Sequence, residues 1–260
     1  MKLSQAKRIV IKIGTSSLTH PNGKPNLRRF EKLARVLCDL KNAGKEIVLV
    51  SSGAISVGCN RLGLEQRPQD TRGKQAAAAV GQCDLMSIYD RLFGEYGQVS
   101  AQILLTRDVI DDEHRKENVI NTFSELLKLG VIPIVNENDT VSVEEIEFGD
   151  NDKLSAIVAV ITGADALIIL TDIDGLYDRD PKLPGAKKIA EVHEINETLL
   201  SIAGGSGSNR GTGGMHSKLE AAKLSMDHGI TTVIASCADL ENLYRILDDE
   251  PIGTQFSKEV

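Results

Sequence analysis

The chain has 260 residues, with 30 basic against 37 acidic side chains and a formal charge of −7. That length supports one large domain or two small ones, burying roughly three quarters of the surface an unfolded chain exposes. Hydrophobic residues at 41% and charged residues at 26% exclude a disordered chain, and no apolar run approaches the ~18 residues of a membrane-spanning helix.

Met1 to Arg8 lead straight into a strand-like run, with no signal-peptide core. Short β-branched runs then alternate with amphipathic segments. Arg8–Ile13, Glu46–Val50, Val99–Leu105, Val131–Val135, Ala166–Leu170 and Thr231–Ala235 read as buried strands. Leu27, Phe30, Leu33, Leu37 and Leu40 recur at helical spacing, as do Ile120, Phe123, Leu126, Leu127 and Leu129. Further helices are expected at Lys74–Glu95, Leu154–Thr162, Ser217–His228 and Asp239–Leu247. Near-continuous apolar strands separated by helices predict a three-layer α/β/α sandwich with a mainly parallel central sheet. Neither an internal repeat nor a low-complexity linker divides the chain, so a single domain over 1–260 is expected. The glycine-rich stretch Gly204–Gly214 leads directly into a helix, which is unusual for an interdomain linker. The acidic run Glu144–Glu147 reads as a solvated loop or hairpin.

The acidic balance argues against nucleic acid as a partner. With four tyrosines, five phenylalanines and no tryptophan, little is available for stacking bases. Cys38, Cys59, Cys83 and Cys237 show no C-x-x-C pair, and the five histidines complete no zinc pattern. No metal site is expected. The thiols should be reduced and mostly buried, in a cytoplasmic protein.

In open parallel sheets ligands gather at the carboxyl ends of the strands. Here those ends carry Lys12-Ile13-Gly14-Thr15-Ser16, Ser51-Ser52-Gly53-Ala54, Asn136-Glu137-Asn138-Asp139-Thr140 and Thr171-Asp172-Ile173-Asp174-Gly175. Each alone could be a turn, but together they define a candidate site. Ser52-Gly53-Ala54 opens a helix or turn whose N–H groups could face an anion. Gly211-Thr212-Gly213-Gly214-Met215-His216-Ser217-Lys218 allows close backbone approach and adds a cation. The P-loop and dinucleotide fingerprints both fail: Thr212 and Arg210 stand where each needs glycine. The protein-kinase motifs are absent too. Gly149-Asp150-Asn151-Asp152 precedes a helix; it could be only a cap, or could grip an ammonium or position a lysine.

The blocks VIKIGTSSL (10–18), SSGAISVG (51–58), VNENDTV (135–141), FGDNDKLSA (148–156), LTDIDGLY (170–177) and GTGGMHSK (211–218) resemble, in order, those of the amino acid kinase family. The resemblance is to the branch acting on free L-glutamate and spans nearly the whole chain. It implies the amino acid kinase fold and transfer of phosphate from ATP to the γ-carboxylate of L-glutamate, the first step of proline biosynthesis. Mg²⁺ would ride mainly on the ATP phosphates. By the same resemblance Lys12 and Lys218 would hold the phosphates, and Asp152 would orient these two lysines. Ser52, Asp139 and Asn151 would bind glutamate. Thr171 and Asp172, with Thr212, Gly213, Gly214, Met215, His216, Ser217 and Lys218, would form the nucleotide site. Many relatives carry a C-terminal PUA domain; this chain stops after the kinase-like part, so RNA binding loses its family support.

A carboxylate is ionised at neutral pH and needs no general base, so no catalytic histidine is expected and His216 reads as a loop residue. Other branches act on N-acetylglutamate, aspartate, carbamate or nucleoside monophosphates. The Asn138-Asp139 and Asn151-Asp152 pairs suit a free ammonium better than an acetamide or a base. A silent amino-acid sensor is the non-enzyme alternative, and it would have no need of Lys12, Asp152 and Lys218. The resemblance further implies feedback inhibition by proline, self-association and hand-over of the labile product to a γ-glutamyl phosphate reductase.

Overall fold

The computed structural model describes residues 2–20, 22–106, 109, 111–141, 151–197, 199–200 and 214–258. In chain order the strands are β1 (Arg8–Ile13), β2 (Glu46–Ser51), β3 (Ser100–Leu105), β4 (Ile132–Glu137), β5 (Ala166–Thr171), β6 (Leu176–Tyr177), β7 (Lys188–Ile189), β8 (Glu191–Val192), β9 (Thr231–Ser236) and β10 (Thr254–Phe256). The helices are α1 (Thr15–Leu18), α2 (Leu27–Asn42), α3 (Ala54–Arg61), α4 (Thr71–Glu95), α5 (Glu113–Lys128), α6 (Asn151–Thr162), α7 (Met215–Asp227) and α8 (Asn242–Leu247). The chain forms two compact units, Met1–Lys12 with Gly149–Val260, and Ile13–Phe148.

In the unit Ile13–Phe148 the strand order is β3-β4-β2, all parallel, with Leu104 opposite Asn136 and Val50 opposite Val135. Five of the six residues in β2 and in β4 are buried, as the unbroken apolar runs require. Edge strand β3 is less buried, with Gln102 exposed. Helix α2 starts at Asn26, whose side chain accepts from the Arg29 amide at 3.3 Å, and buries Phe30, Leu33, Ala34 and Leu37. Phe30 meets Tyr89 of α4 edge-on, with ring centroids 5.2 Å apart, and Tyr89 stacks on Phe93 at 5.9 Å. Helices α3 and α4 pack backbone to backbone at Gly58 and Gly81. A Cβ at Gly58 would lie 1.8 Å from the Ala77 carbonyl oxygen, and one at Gly81 would lie 1.8 Å from that of Ala54.

In the other unit the strand order is β1-β5-β9-β10-β8. The Asp165 amide donates to the Arg8 carbonyl at 2.9 Å, while the Asp165 carboxylate accepts from the Lys7 and Arg8 amides at 2.7 and 2.9 Å. These bonds tie the starts of β1 and β5 together, so the two strands run parallel. Strands β5 and β9 pair in parallel along their full lengths, and β10 runs antiparallel to β9. All six residues of β5 are buried. Helices α6 and α7 pack on each other, with Leu154, Val158 and Ile161 buried on one and Leu219, Ala222 and Met226 buried on the other.

The six expected strands are present, each within two residues of its predicted ends. Strands β6, β7, β8 and β10 have two or three residues and offered no readable period. Leu129 does not extend the apolar stripe of α5: it is the C-cap, 69% exposed. The run Glu144–Glu147 lies outside the described residues.

The thiols are a partial correction. All four are free; Cys38 and Cys237 are buried, Cys59 is half-buried and Cys83 is exposed on α4. Burial pushes the Cys38 thiol up to about 11, partly opposed by the Lys41 ammonium. At pH 8 Cys38 is therefore almost entirely protonated and shielded. Iodoacetamide should alkylate Cys83 in the native protein and Cys38 only after unfolding, as read by peptide mass mapping. Equal native labelling of the two would contradict this burial.

Candidate active site

Every expected phosphate-holding side chain that is described belongs to the unit Met1–Lys12 with Gly149–Val260. Lys12, next to last in β1, buries its side chain within a strand of branched aliphatic residues. Asp152 is the second residue of α6, where the helix dipole favours a carboxylate. Lys218 is the fourth residue of α7. The three meet: Lys12 Nζ lies 2.6 Å from Asp152 Oδ1, and Lys218 Nζ lies 3.0 Å from Asp152 Oδ2. Their exposures are 5%, 0% and 4% for Lys12, Asp152 and Lys218.

Ser217 Oγ donates to Asp152 Oδ2 at 3.1 Å and lies 2.9 Å from the Gly214 carbonyl. Ser155 Oγ donates to the Asp152 carbonyl at 2.6 Å, tightening the first turn of α6. Two ammoniums and one carboxylate carry one net positive charge in a place water hardly reaches. Burying charge is costly unless it is paired, so a net cationic cluster here favours an anionic ligand. The start of α7 adds to this attraction. Its N-cap is Gly214, which supplies no side-chain cap, and the first-turn amides Met215, His216 and Ser217 point out of the helix end.

At the end of neighbouring β5, Thr171 Oγ1 donates to Asp172 Oδ1 at 3.0 Å, and the Thr171 carbonyl accepts from the Cys237 amide at 2.7 Å. Thr171 is buried and Asp172 exposed. Asn151 opens α6, half-buried. His216 is not a loop residue: it sits in the first turn of α7, with Nδ1 3.8 Å from Glu220 Oε2. Thr212 and Gly213 lie outside the described residues. Each Asp152 oxygen faces one lysine, an arrangement that favours positioning the lysines over gripping an ammonium.

Ser52 and Asp139 lie in the other unit. Ser52 follows β2 and donates its amide to the Ile13 carbonyl at 3.2 Å. Gly53, at φ +113°, then turns the chain into α3, a conformation that glycine adopts without strain. The turn is anchored from behind by Ser51, whose Oγ lies 2.8 Å from the buried Tyr89 hydroxyl. Asp139 is half-buried, three residues beyond Asn136. Sequence reasoning singled out neither Tyr89 nor Gln82, whose side chains hydrogen-bond Ser51 and Asn136 at these strand ends. They lie inside α4 and belong to no recognisable motif.

A buried pair of lysines on one carboxylate, beside a helix start at the end of a parallel sheet, is an arrangement chemically suited to phosphate oxygens. The family model of the amino acid kinase family matches residues 7–236, and the chain belongs to that family. It is 56% identical to a protein named glutamate 5-kinase from Clostridium perfringens, over 98% of this chain and 96% of that one. It is 52% identical to the glutamate 5-kinase of Enterococcus faecalis, over 99% and 97%. Among solved structures, carbamate kinase from Giardia lamblia bound to AMP-PNP is similar in fold, with a TM-score of 0.68 at 18% identity, covering 98% of this chain and 100% of that one. The expected mainly parallel α/β architecture is the one observed.

Proposed function

We propose that this protein is an ATP-dependent kinase that phosphorylates the γ-carboxylate of L-glutamate to give L-glutamyl 5-phosphate, the first step of proline biosynthesis. Identity of 56% with a glutamate 5-kinase over 98% of the chain carries the substrate assignment. The buried Lys12–Asp152–Lys218 cluster supports the chemistry. A γ-carboxylate oxygen attacks the γ-phosphorus of ATP, the bond from that phosphorus to the bridging oxygen breaks, and ADP leaves. The attacking oxygen is already ionised, so the protein's task is alignment and charge stabilisation. Two like unit charges 4 Å apart repel by about 4 kcal/mol at an effective dielectric near 20. The two lysines would offset that repulsion on the phosphate oxygens, with Asp152 and Ser217 holding them in place. Mg²⁺ bound with the nucleotide would neutralise further phosphate charge.

Thr171, Asp172 and the start of α7 would hold the nucleotide. Ser52, Asp139 and Asn151 would bind glutamate; with Asp152 committed to lysines, Asp139 is the carboxylate proposed to meet the substrate ammonium. The proposal covers one kinase domain over 1–260, acting in the cytoplasm. No helix among the described residues is long and apolar enough to cross a membrane. It extends to self-association, to competition by proline at the glutamate site and, because an acyl phosphate is labile, to delivery of the product to a γ-glutamyl phosphate reductase. ADP release measured with L-glutamate, N-acetyl-L-glutamate and L-aspartate should be fastest with L-glutamate. Faster turnover on either of the others would overturn the substrate assignment.

A further inference from the structure

Gln82 lies in the middle of α4, directly after Gly81, the glycine pressed against the Ala54 carbonyl at the start of α3. It is 8% exposed. Its amide orientation follows from a backbone group that cannot flip. The Glu137 amide donates to Asn136 Oδ1 at 2.9 Å, which turns Asn136 Nδ2 towards Gln82. Asn136 Nδ2 then donates to Gln82 Oε1 at 3.0 Å. The opposite orientation would set the Asn136 amide nitrogen against the Glu137 N–H, donor against donor. Gln82 Nε2 is thereby fixed as a donor. It is buried without a hydrogen-bond partner among the described residues.

A buried donor with no acceptor is a standing cost to the fold, removed when a ligand brings an oxygen. The surroundings fit such a ligand. Gln82 meets the end of β4 through Asn136, and the same segment carries Asp139, proposed for the acceptor substrate. We infer that Gln82 is a substrate-binding residue whose Nε2–H donates to a carboxylate oxygen of the bound acceptor amino acid. Asn136 is its positioning partner. This inference rests on the proposed glutamate kinase activity.

The test compares wild type with Gln82→Glu and Gln82→Leu in steady-state ADP release with L-glutamate and MgATP. Gln82→Glu keeps an acceptor for Asn136 but removes the donor; Gln82→Leu removes both. A hydrogen bond to a charged group made equally in ground and transition states appears in KM. In both variants the KM for L-glutamate should rise about tenfold or more at pH 8, while the KM for MgATP stays within twofold. Lowering the pH from 8 to 6 should bring the Gln82→Glu KM back towards wild type, since protonation restores an O–H donor. A purely structural glutamine would show no such recovery. Unchanged glutamate KM in both variants, parallel rises in both KM values, or failure of both variants to fold would overturn the inference. Wild type inactive on L-glutamate would instead overturn the activity on which it rests.

Discussion

Asp152→Ala is expected to cost about 3–5 kcal/mol of stability, because it leaves two buried ammoniums facing each other without a counter-charge. For a chain of this size that corresponds to a fall in melting temperature of roughly 10 °C. Turnover, measured below the new transition, should fall by about a thousandfold, since neither lysine then keeps its aim. Lys218→Met separates the two effects. It leaves Lys12 and Asp152 as a balanced pair, so the melting temperature should fall less than in Asp152→Ala. Its turnover should still fall by about a hundredfold or more. Thermal unfolding beside an ADP-release assay reads both quantities. If Asp152→Ala melted with wild type, the ion-pair account would be wrong; if Lys218→Met kept turnover within a factor of two, that lysine would have no transition-state role.

The second large effect is steric and removes no charge. Gly81→Ala would place a methyl carbon 1.8 Å from the Ala54 carbonyl oxygen, well under the 3.0 Å that real Cβ atoms respect. The obstacle is backbone, so no rotamer change relieves it, and α3 must move away from α4. A loss of about 3 kcal/mol or more is expected, at or beyond the upper end of ordinary overpacking. Gly94→Ala in the same helix is the control. A Cβ there meets nothing within 4 Å, so reduced freedom of the unfolded chain should raise stability by about 0.5–1 kcal/mol. Urea unfolding midpoints should therefore move in opposite directions. Because α3 starts at the Gly53 turn, surviving Gly81→Ala protein should also bind L-glutamate more weakly. Equal midpoints for the two variants would refute the close crossing.

Much of this arrangement was legible before any coordinates. Strands such as Ala166–Thr171 are buried on both faces, so their apolar residues run unbroken and announce themselves. The polar groups directly after them, Lys12 to Ser16, Ser52-Gly53 and Thr171-Asp172, stood out as strand-end candidates for binding. The two-residue strands β6 to β8 were invisible, because two residues carry no period. His216 was misread as part of the glycine-rich loop because Gly214, a helix N-cap here, looks like loop sequence.

Hydrophobic periodicity by itself determined the fold class, and the ordered motif blocks carried the family resemblance that implies the phosphate chemistry and, with it, the need for an acidic protein to gather positive charge locally. Those properties follow from residue types and their order along the chain. Tertiary structure alone decided how close and how buried the Lys12–Asp152–Lys218 contacts are, that each lysine faces its own Asp152 oxygen, and that Gln82 keeps a buried donor. Desolvation and hydrogen-bond partnership depend on what packs around a group in space. Residues far apart in the chain supply that packing, and no local pattern records it.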